Sequence, residues 1–237
     1  MRIRVTISFL ASALLTFPCL RVAAAPEPNL VPRTWQLEIT YSTPEPIAVT
    51  DAQGQIRWYW FLPYKVVNRT GTDRQFLPKI VVATDQGDIV LANDKTPPSV
   101  FPAIKLKLRN RFVESPIEAA GVIQQGQDQA RESVAIWPAF LHDVDMLSIF
   151  VTGLSGETVG VLNPKTGEPV IDPGSLKPVL DPATNEPLID PNTGKPLVQP
   201  RPLLMRKTLM LEYHLPGSVL HPQRQQMTPQ GKRWVMR

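Results

Sequence analysis

A tandem array of proline-rich units constrains this chain more than any other feature. Four nine-residue units follow one another from Asn163 to Val198, with the sequences NPKTGEPVI, DPGSLKPVL, DPATNEPLI and DPNTGKPLV. Each unit has proline at its second and seventh places, and proline lacks the amide hydrogen that helices and inner strands need. The array therefore excludes a long helix or a regular strand in this segment.

Each unit begins with residues suited to a type I turn. Asn or Asp at the first place can accept a backbone hydrogen bond, proline at the second place fixes φ, and a later Gly or Asn tolerates positive φ. The sixth place alternates in charge, so stacked units could pair opposite charges. The residues at this place are Glu168, Lys177, Glu186 and Lys195. The units are predicted to form short, imperfect strands or a chain of turns, with disorder as the alternative because proline-rich polar repeats often lack a core.

A nine-residue period also occurs in calcium-binding β-rolls. Those repeats need glycine-rich turns, whereas glycine is sparse in this array and proline occupies the extended places. Asp172, Asp181 and Asp190 are therefore interpreted as turn caps and not as calcium ligands. No cofactor is expected.

Apolar and polar residues alternate on both sides of the array, which predicts β-strands. The stretch from Arg57 to Val67 is almost continuously aromatic or aliphatic and is predicted to be buried on both faces. Residues 104–109 alternate most clearly, with Ile104, Leu106 and Leu108 inward. Further strands are predicted at residues 35–41, 76–83, 89–92, 134–137, 146–154 and 208–215.

Two local patterns beside these strands have their own interpretation. Lys105, Lys107 and Arg109 lie on the outward side of the predicted strand, where they could bind an anion together with Arg111, but such charges more often protect a sheet edge. The capping box from Ser115 to Glu118, with proline at the first helical position, predicts a short helix that continues to Ala120.

The first 24 residues have the pattern of a secretory signal peptide. Arg2 and Arg4 precede an apolar run from Val5 to Leu20, and small residues follow it. The run is shorter than the roughly 20 residues of a membrane span, so cleavage after Ala24 is expected and no span remains in the exported chain. Cleavage removes the single cysteine, Cys19, and three arginines, which lowers the formal net charge of +4 by three. The basic composition therefore gives no reason to expect nucleic-acid binding.

Few residues have the spacing of a catalytic or metal site. His142, Asp143 and Asp145 bring a histidine next to carboxylates, but no third ligand follows at a diagnostic spacing, so a polar turn is expected. The segment from Gly153 to Gly156 lacks the spacing of a nucleophile elbow. The sequence therefore assigns no catalytic, cofactor-binding or metal-ligating residue.

Two alternative hypotheses would give the chain a catalytic or a carbohydrate-binding site. Asp143 and Asp145 could act as paired carboxylates of a cell-envelope hydrolase if the fold brought them into one cleft. Trp58 and Trp60 could bind carbohydrate if they were exposed, although contiguous aromatic residues favour a place in the core.

An all-β fold is expected, a single antiparallel β-sandwich with at most one short helix. A leader covers residues 25–33, and the sandwich covers residues 34–215. A repeat arm, residues 163–202, is inserted between two of its strands, and residues 216–237 form a polar, basic and mobile tail.

Three stretches resemble immunoglobulin-like β-sandwich modules of secreted bacterial proteins. They are YKVVNRTG at residues 64–71, the segment from Gly126 to Pro138, and LSIFVTGLSG at residues 147–156. Unlike antibody domains, the chain has no cysteine pair. The resemblance implies an adhesive, structural or accessory role. We expect a non-enzymatic exported module, either periplasmic, cell-surface or secreted, whose repeat arm contacts a protein or an envelope component.

Overall fold

The computed structural model describes residues 26–140, 142–191, 193–217, 221–222 and 225–237. The predicted signal peptide, with Cys19, lies outside these residues. The described part contains one α-helix, α1, at Val100–Leu108, and strands β1 to β12. The strands are Glu38–Tyr41, Glu45–Thr50, Ile56–Asn68, Arg74–Phe76, Lys79–Thr84, Ile89–Leu91, Gly121–Ile123, Gly126–Pro138, Met146–Thr152, Thr158–Gly160, Leu204–His214 and Thr228–Met236. Every pairing between them is antiparallel, so the predicted all-β, antiparallel fold is confirmed.

Strand β3 organises the first sheet. Strand β8 pairs along one of its edges, while β1 and β2 pair with successive lengths of the other edge. Trp60 and Leu62 pack into one hydrophobic cluster, and Tyr59 and Phe61 pack into a second cluster on the opposite face. The prediction that this stretch is buried on both faces is therefore confirmed, because side chains alternate along a strand.

The second sheet has the order β6, β5, β9, β11 and β12, and β10 pairs with the first residues of β11. Its inward residues, among them Ile80, Ile149 and Leu211, share one hydrophobic cluster with Trp60 of the first sheet. The predicted hairpin is present as β5 and β6, where Gly87 adopts a φ of 91° in the turn. We call the two sheets and α1 the body of the molecule.

Residues 104–109 do not form the predicted strand, because they lie in α1 and its C-cap. The helix covers the outer face of the first sheet, where Val100 and Ile104 are buried against Phe61. The apolar residues 100, 104 and 108 also fit the helical period of 3.6, so the sequence satisfies both periods. Leu106, which the strand interpretation places inward, is 80% exposed.

The short helix predicted from Ser115 to Ala120 is also wrong, although its capping box is present. The Ser115 amide donates to the Glu118 carboxylate over 2.8 Å, and the Glu118 amide donates to the Ser115 hydroxyl over 3.3 Å. These bonds close turns over residues 116–119 and not a helix. Gly121 follows at once in β7, which pairs with β4 and so ends any helical continuation.

The predicted mobile tail contains a paired strand. Residues 228–236 form β12, which is hydrogen-bonded along β11 from Lys207 to His214. Trp234, which lies opposite Leu209, packs against the shared core. The strand was missed because backbone pairing with β11 stabilises a segment whose own sequence is mostly polar.

No helix in the described residues is long and apolar enough to cross a membrane.

Candidate interaction site

The repeat arm, residues 163–202, connects β10 to β11 and is built from side chain-capped turns. The first residue of a unit accepts a hydrogen bond from the backbone amide two residues later, as predicted for turn caps. Three such bonds are Lys165 to Asn163 at 2.9 Å, Gly174 to Asp172 at 2.9 Å, and Ala183 to Asp181 at 2.7 Å. These Asp side chains therefore cap turns.

The fifth place decides whether a turn closes. Gly167, Asn185 and Gly194 adopt positive φ, between 58° and 74°. In each of these units the amide of the fifth residue donates over 2.8 Å to the carbonyl of the first residue. The amide of the first residue donates in turn to the carbonyl of the sixth. Glycine and asparagine tolerate this conformation, which is costly for other residues.

The second unit has Leu176 at its fifth place and folds differently. Residues Pro173–Leu176 form a single 3-10 turn. The amide of Asp172 does not donate to the carbonyl of the sixth residue, as in the other units, but donates over 2.8 Å to the carbonyl of Arg201. Leu176 thus replaces the Gly or Asn of the other units, and the second unit does not close its turn as they do. Its Asp172 amide is hydrogen-bonded instead to Arg201, which lies shortly before β11.

Two closed rings of backbone hydrogen bonds hold the units together. Each ring joins three residues, and each residue donates to one neighbour and accepts from the other over 2.7 to 2.9 Å. One ring contains Val161, Val170 and Leu203, and the other contains Val179, Leu188 and Leu197. Proline immediately precedes five of the six residues. Because proline has no amide hydrogen, the residue after it carries the donor that closes the ring.

The side chains of the arm remain accessible. None of the described residues within 163–202 is buried. Three of the four ninth-place residues, together with the equivalent residue before the first unit, are 39% to 58% exposed. They are Leu162, Ile171, Leu180 and Ile189. The ninth-place residue of the last unit, Val198, is half-buried. The repeat thus presents an aliphatic side chain to solvent at intervals of nine residues.

The alternating charges at the sixth place are exposed as well. In the described part of the chain, Glu168, Lys177, Glu186 and Lys195 form no ion pair within 4 Å. The charge pairing that the alternation would allow between neighbouring units is therefore not formed. The units meet through the rings of backbone bonds and not through their sixth places.

A buried ion pair fixes the base of the arm to the body. The Lys207 ammonium of β11 lies 3.1 Å from the Glu157 carboxylate, and the two side chains are 2% and 5% exposed. Glu157 immediately precedes β10. Asn29 of the leader donates its amide and side chain to Glu157, each over 2.8 Å, and its carbonyl accepts from Lys207. Lys207 also lies over the ring of Trp234, so the leader, the residue before β10, β11 and β12 all contribute to this cluster.

The hydrogen bonds of this cluster favour the ionised form of Glu157. The backbone amide of Asn29 makes the largest contribution, and the Asn29 side chain and Lys207 add to it, so the pKa of Glu157 lies below its ordinary value.

The ion pair of Lys207 and Glu157 was not predicted from the sequence, although the sequence contains a signal for it. Lys207 has the same parity in β11 as Leu209, Leu211 and Tyr213, so the alternation places it on the inward face.

The two carboxylates considered for a hydrolase lie at the surface of the molecule. Asp143 and Asp145 are both exposed in the loop between β8 and β9. The Nε2 atom of His142 lies 2.8 Å from the carboxylate of Asp88, in the turn between β5 and β6. Within the described residues, no group of three or more histidine, cysteine or acidic side chains could hold a metal ion.

The two candidate carbohydrate-binding tryptophans differ. Trp60 is fully buried between the two sheets, so the prediction that it belongs to the core is confirmed. Trp58 is half-buried and lines a groove of about 540 Å³ with Ile47, Lys107 and Gln226.

Comparison of the chain with protein-family models, curated proteins and solved structures found no match.

Proposed function

We propose that this chain is a non-enzymatic exported interaction module, in which an immunoglobulin-like β-sandwich carries the repeat arm as an insertion between two of its strands. The arm contacts a protein or another component of the cell envelope. The observation that carries the proposal is the row of accessible aliphatic side chains at the ninth place of the units. Burial of such side chains at an interface is favourable by about 25 cal/mol per Å² of apolar surface.

The charges of the arm supply the specificity of the contact. Four exposed residues of alternating sign form no ion pair within 4 Å among the described residues, so their charges are accessible to a partner. Complementary charge on a partner selects register and partner more than it adds affinity.

The anchor at Lys207 and Glu157 supports this role. A contact element transmits force or orientation only if its base is rigid, and the arm's base is tied to the leader and to two strands of the body. The arm is therefore presented in a defined direction.

Site-specific photo-cross-linking tests the contact. A photoreactive amino acid at Leu180 or Ile189 is expected to give cross-linked adducts in cells that express the protein. The same amino acid at Leu106, which is 80% exposed on the body, is the matched control and is expected to give few. Equal yields from arm and body, or no adduct from the arm, would contradict the proposal.

Reversing the order of the arm's charges tests specificity. The variant Glu168→Lys, Lys177→Glu, Glu186→Lys and Lys195→Glu keeps the net charge and composition while inverting the pattern. We expect the adducts from Leu180 to decrease at least tenfold, with the thermal unfolding midpoint unchanged. Unchanged adducts would show that charge order plays no part.

Removal of the arm tests whether it is needed. Gly160 of β10 lies opposite Leu204 of β11, so residues 161–203 can be replaced by Asn-Gly, the preferred two-residue hairpin loop. The shortened protein is expected to fold and to lose its partner. Retention of the partner identified by cross-linking would refute the role of the arm.

Export itself is tested by the N-terminus of the protein isolated from the cell envelope or the medium. Amino-terminal sequencing is expected to begin at Ala25, the residue after the proposed cleavage site. An intact N-terminus in the cytoplasm would contradict export.

Carbohydrate binding at Trp58 is the second candidate function, because that tryptophan lines a groove with polar neighbours. Titration with soluble oligosaccharides, followed by tryptophan fluorescence, is expected to give saturable binding that Trp58→Ala abolishes. Binding that survives this substitution would exclude the groove.

A further inference from the structure

Strands β9 and β10 both pair with β11, but the residues between them leave the sheet. Val151 lies opposite Leu209, and Thr158 lies opposite Arg206. The intervening segment turns toward residues 35–37, where the Leu154 carbonyl accepts from the Leu37 amide over 2.8 Å. The Gly156 amide donates over 3.1 Å to the Trp35 carbonyl. A gap therefore opens in the outer face of the second sheet.

The two glycines of this segment are required by close contacts. Gly153 has a φ of 95°, and a Cβ atom there would lie 2.6 Å from the carbonyl oxygen of Leu77. A Cβ atom at Gly156 would overlap the indole ring of Trp35. Backbone and ring approach as closely as glycine allows, and the segment from Gly153 to Gly156 forms one wall of a cleft.

The cleft has a volume of about 580 Å³, within the range of small-molecule sites. Trp35, Leu77 and Phe150 form its apolar surface, and Leu77 is 61% exposed there. Lys79, Arg206 and Arg237 contribute three cationic groups. None of the lining side chains is a carboxylate.

The two arginines face each other across neighbouring strands. The Arg206 amide donates to the Arg237 carbonyl over 2.7 Å, and the Arg237 amide donates back over 3.1 Å. Residues that exchange both bonds are directly opposite, so their side chains share one face about 5 Å apart at Cβ. Like charges in this position repel each other and destabilise the pair.

In the described part of the chain, no Asp or Glu side chain forms an ion pair within 4 Å with Lys79, Arg206 or Arg237. The Arg237 guanidinium stacks on the Phe150 ring at 4.1 Å. A stacked guanidinium keeps its N–H groups available around its edge, where they can bind an oxyanion in bidentate geometry.

We propose that this cleft binds a small aromatic acid. The anionic group, a carboxylate in the simplest case, lies between Arg206 and Arg237 and relieves their repulsion, with Lys79 as a third cation. The aromatic body lies against Trp35 and Leu77. The site is separate from the arm's ninth-place residues, so it does not depend on the interaction proposed for the arm.

The proposal is tested by titrating the exported protein with 2-naphthoate, in parallel with the neutral isostere 2-naphthamide and with acetate, which lacks the ring. Isothermal calorimetry is expected to show 2-naphthoate binding at least tenfold more tightly than either comparison ligand. Raising the salt concentration is expected to weaken the binding, since an ion pair contributes to it. Equal affinity for 2-naphthoate and 2-naphthamide would overturn the proposal.

Substitutions locate the site. Arg206→Gln with Arg237→Gln is expected to lower the affinity for 2-naphthoate more than tenfold, and Lys79→Gln alone at least twofold. Arg111→Gln is the matched control, because Arg111 is also exposed and stacks on a phenylalanine, Phe112, at 4.8 Å. It is expected to change the affinity less than twofold.

The thermal midpoint of each variant checks its folding. The double variant removes a like-charge pair, so its midpoint is expected to equal or exceed that of the wild type. An unchanged affinity in both the double variant and Lys79→Gln would overturn the proposal, as would an equal loss in Arg111→Gln.

Discussion

The body and the repeat arm satisfy their backbone hydrogen bonds in different ways. In the body, long strands pair edge to edge around a hydrophobic cluster, in which Trp60 and Ile149 are fully buried. In the arm, short turns are capped by side chains and closed by rings of three residues, and no described residue is buried. The comparison shows that turn chemistry can order a segment without a core, which leaves its aliphatic side chains accessible.

The largest effect is expected where the two regions meet. Lys207→Met leaves the Glu157 carboxylate buried without its partner, which typically lowers the free energy of unfolding by about 3–5 kcal/mol. Urea denaturation measures the loss. The double variant Lys207→Met with Glu157→Leu is expected to recover most of it, because an apolar pair of similar volume removes the buried charge. No recovery would show that contacts other than the ion pair dominate.

Replacing one isoleucine in the body and one in the arm compares how much each region depends on side-chain burial. Ile149→Ala, at a site in the body that is 0% exposed, is expected to lower the free energy of unfolding by about 2–4 kcal/mol, through lost burial and the cavity left behind. Ile189→Ala, at an arm site that is 55% exposed, is expected to change it by less than about 0.5 kcal/mol. Equal effects in denaturant titrations would mean that the arm has a core after all.

Two glycines with positive φ test the same contrast in the backbone. Gly153→Ala is expected to cost about 1–3 kcal/mol, because its Cβ meets the Leu77 carbonyl and its φ of 95° is strained. Gly167→Ala, in the arm, has a φ of 74° and open space around the new Cβ, so about 1 kcal/mol is expected. Thermal unfolding of the two variants measures the difference, and a larger loss at Gly167 would contradict it.

The smallest expected effect is on the pH dependence of stability. Because the folded-state pKa of Glu157 is lowered, its contribution is fully present above the unfolded value of about 4.3 and is lost as pH falls through the folded value. The difference in unfolding free energy between wild type and Glu157→Gln is therefore expected to be constant above pH 5 and to shrink below pH 4. A difference that grows on acidification would contradict the assignment.

Sequence patterns predicted most strands of the body because their residues alternate. The patterns failed in residues 100–108, where the apolar residues fit both the strand period of 2 and the helical period of 3.6. Only the burial of Val100 and Ile104 against the sheet selects the helix. The patterns also failed for β12, whose order depends on pairing with a distant part of the chain. Long-range pairing is not encoded locally.

For the arm as well, the sequence predicts local features but not long-range pairing. Its turns follow from Asp-Pro and from glycine at the fifth place, which are local signals. Its rings do not, because Val179 bonds with Leu197 of a unit that is not its neighbour in sequence. The cleft beside Arg206 was not predictable either, since it forms only when Arg237 pairs across from it.

The central claim is that the arm is ordered by its own turns and rings, independently of the body's core. Hydrogen exchange of the wild type and of Ile149→Ala tests it directly, residue by residue. In the variant, the amides of Phe61 and Val151 are expected to lose protection, while those of Val179, Leu188 and Leu197 keep the protection they have in the wild type. A parallel loss of protection in both regions would show that the arm unfolds only with the body, and would contradict the claim.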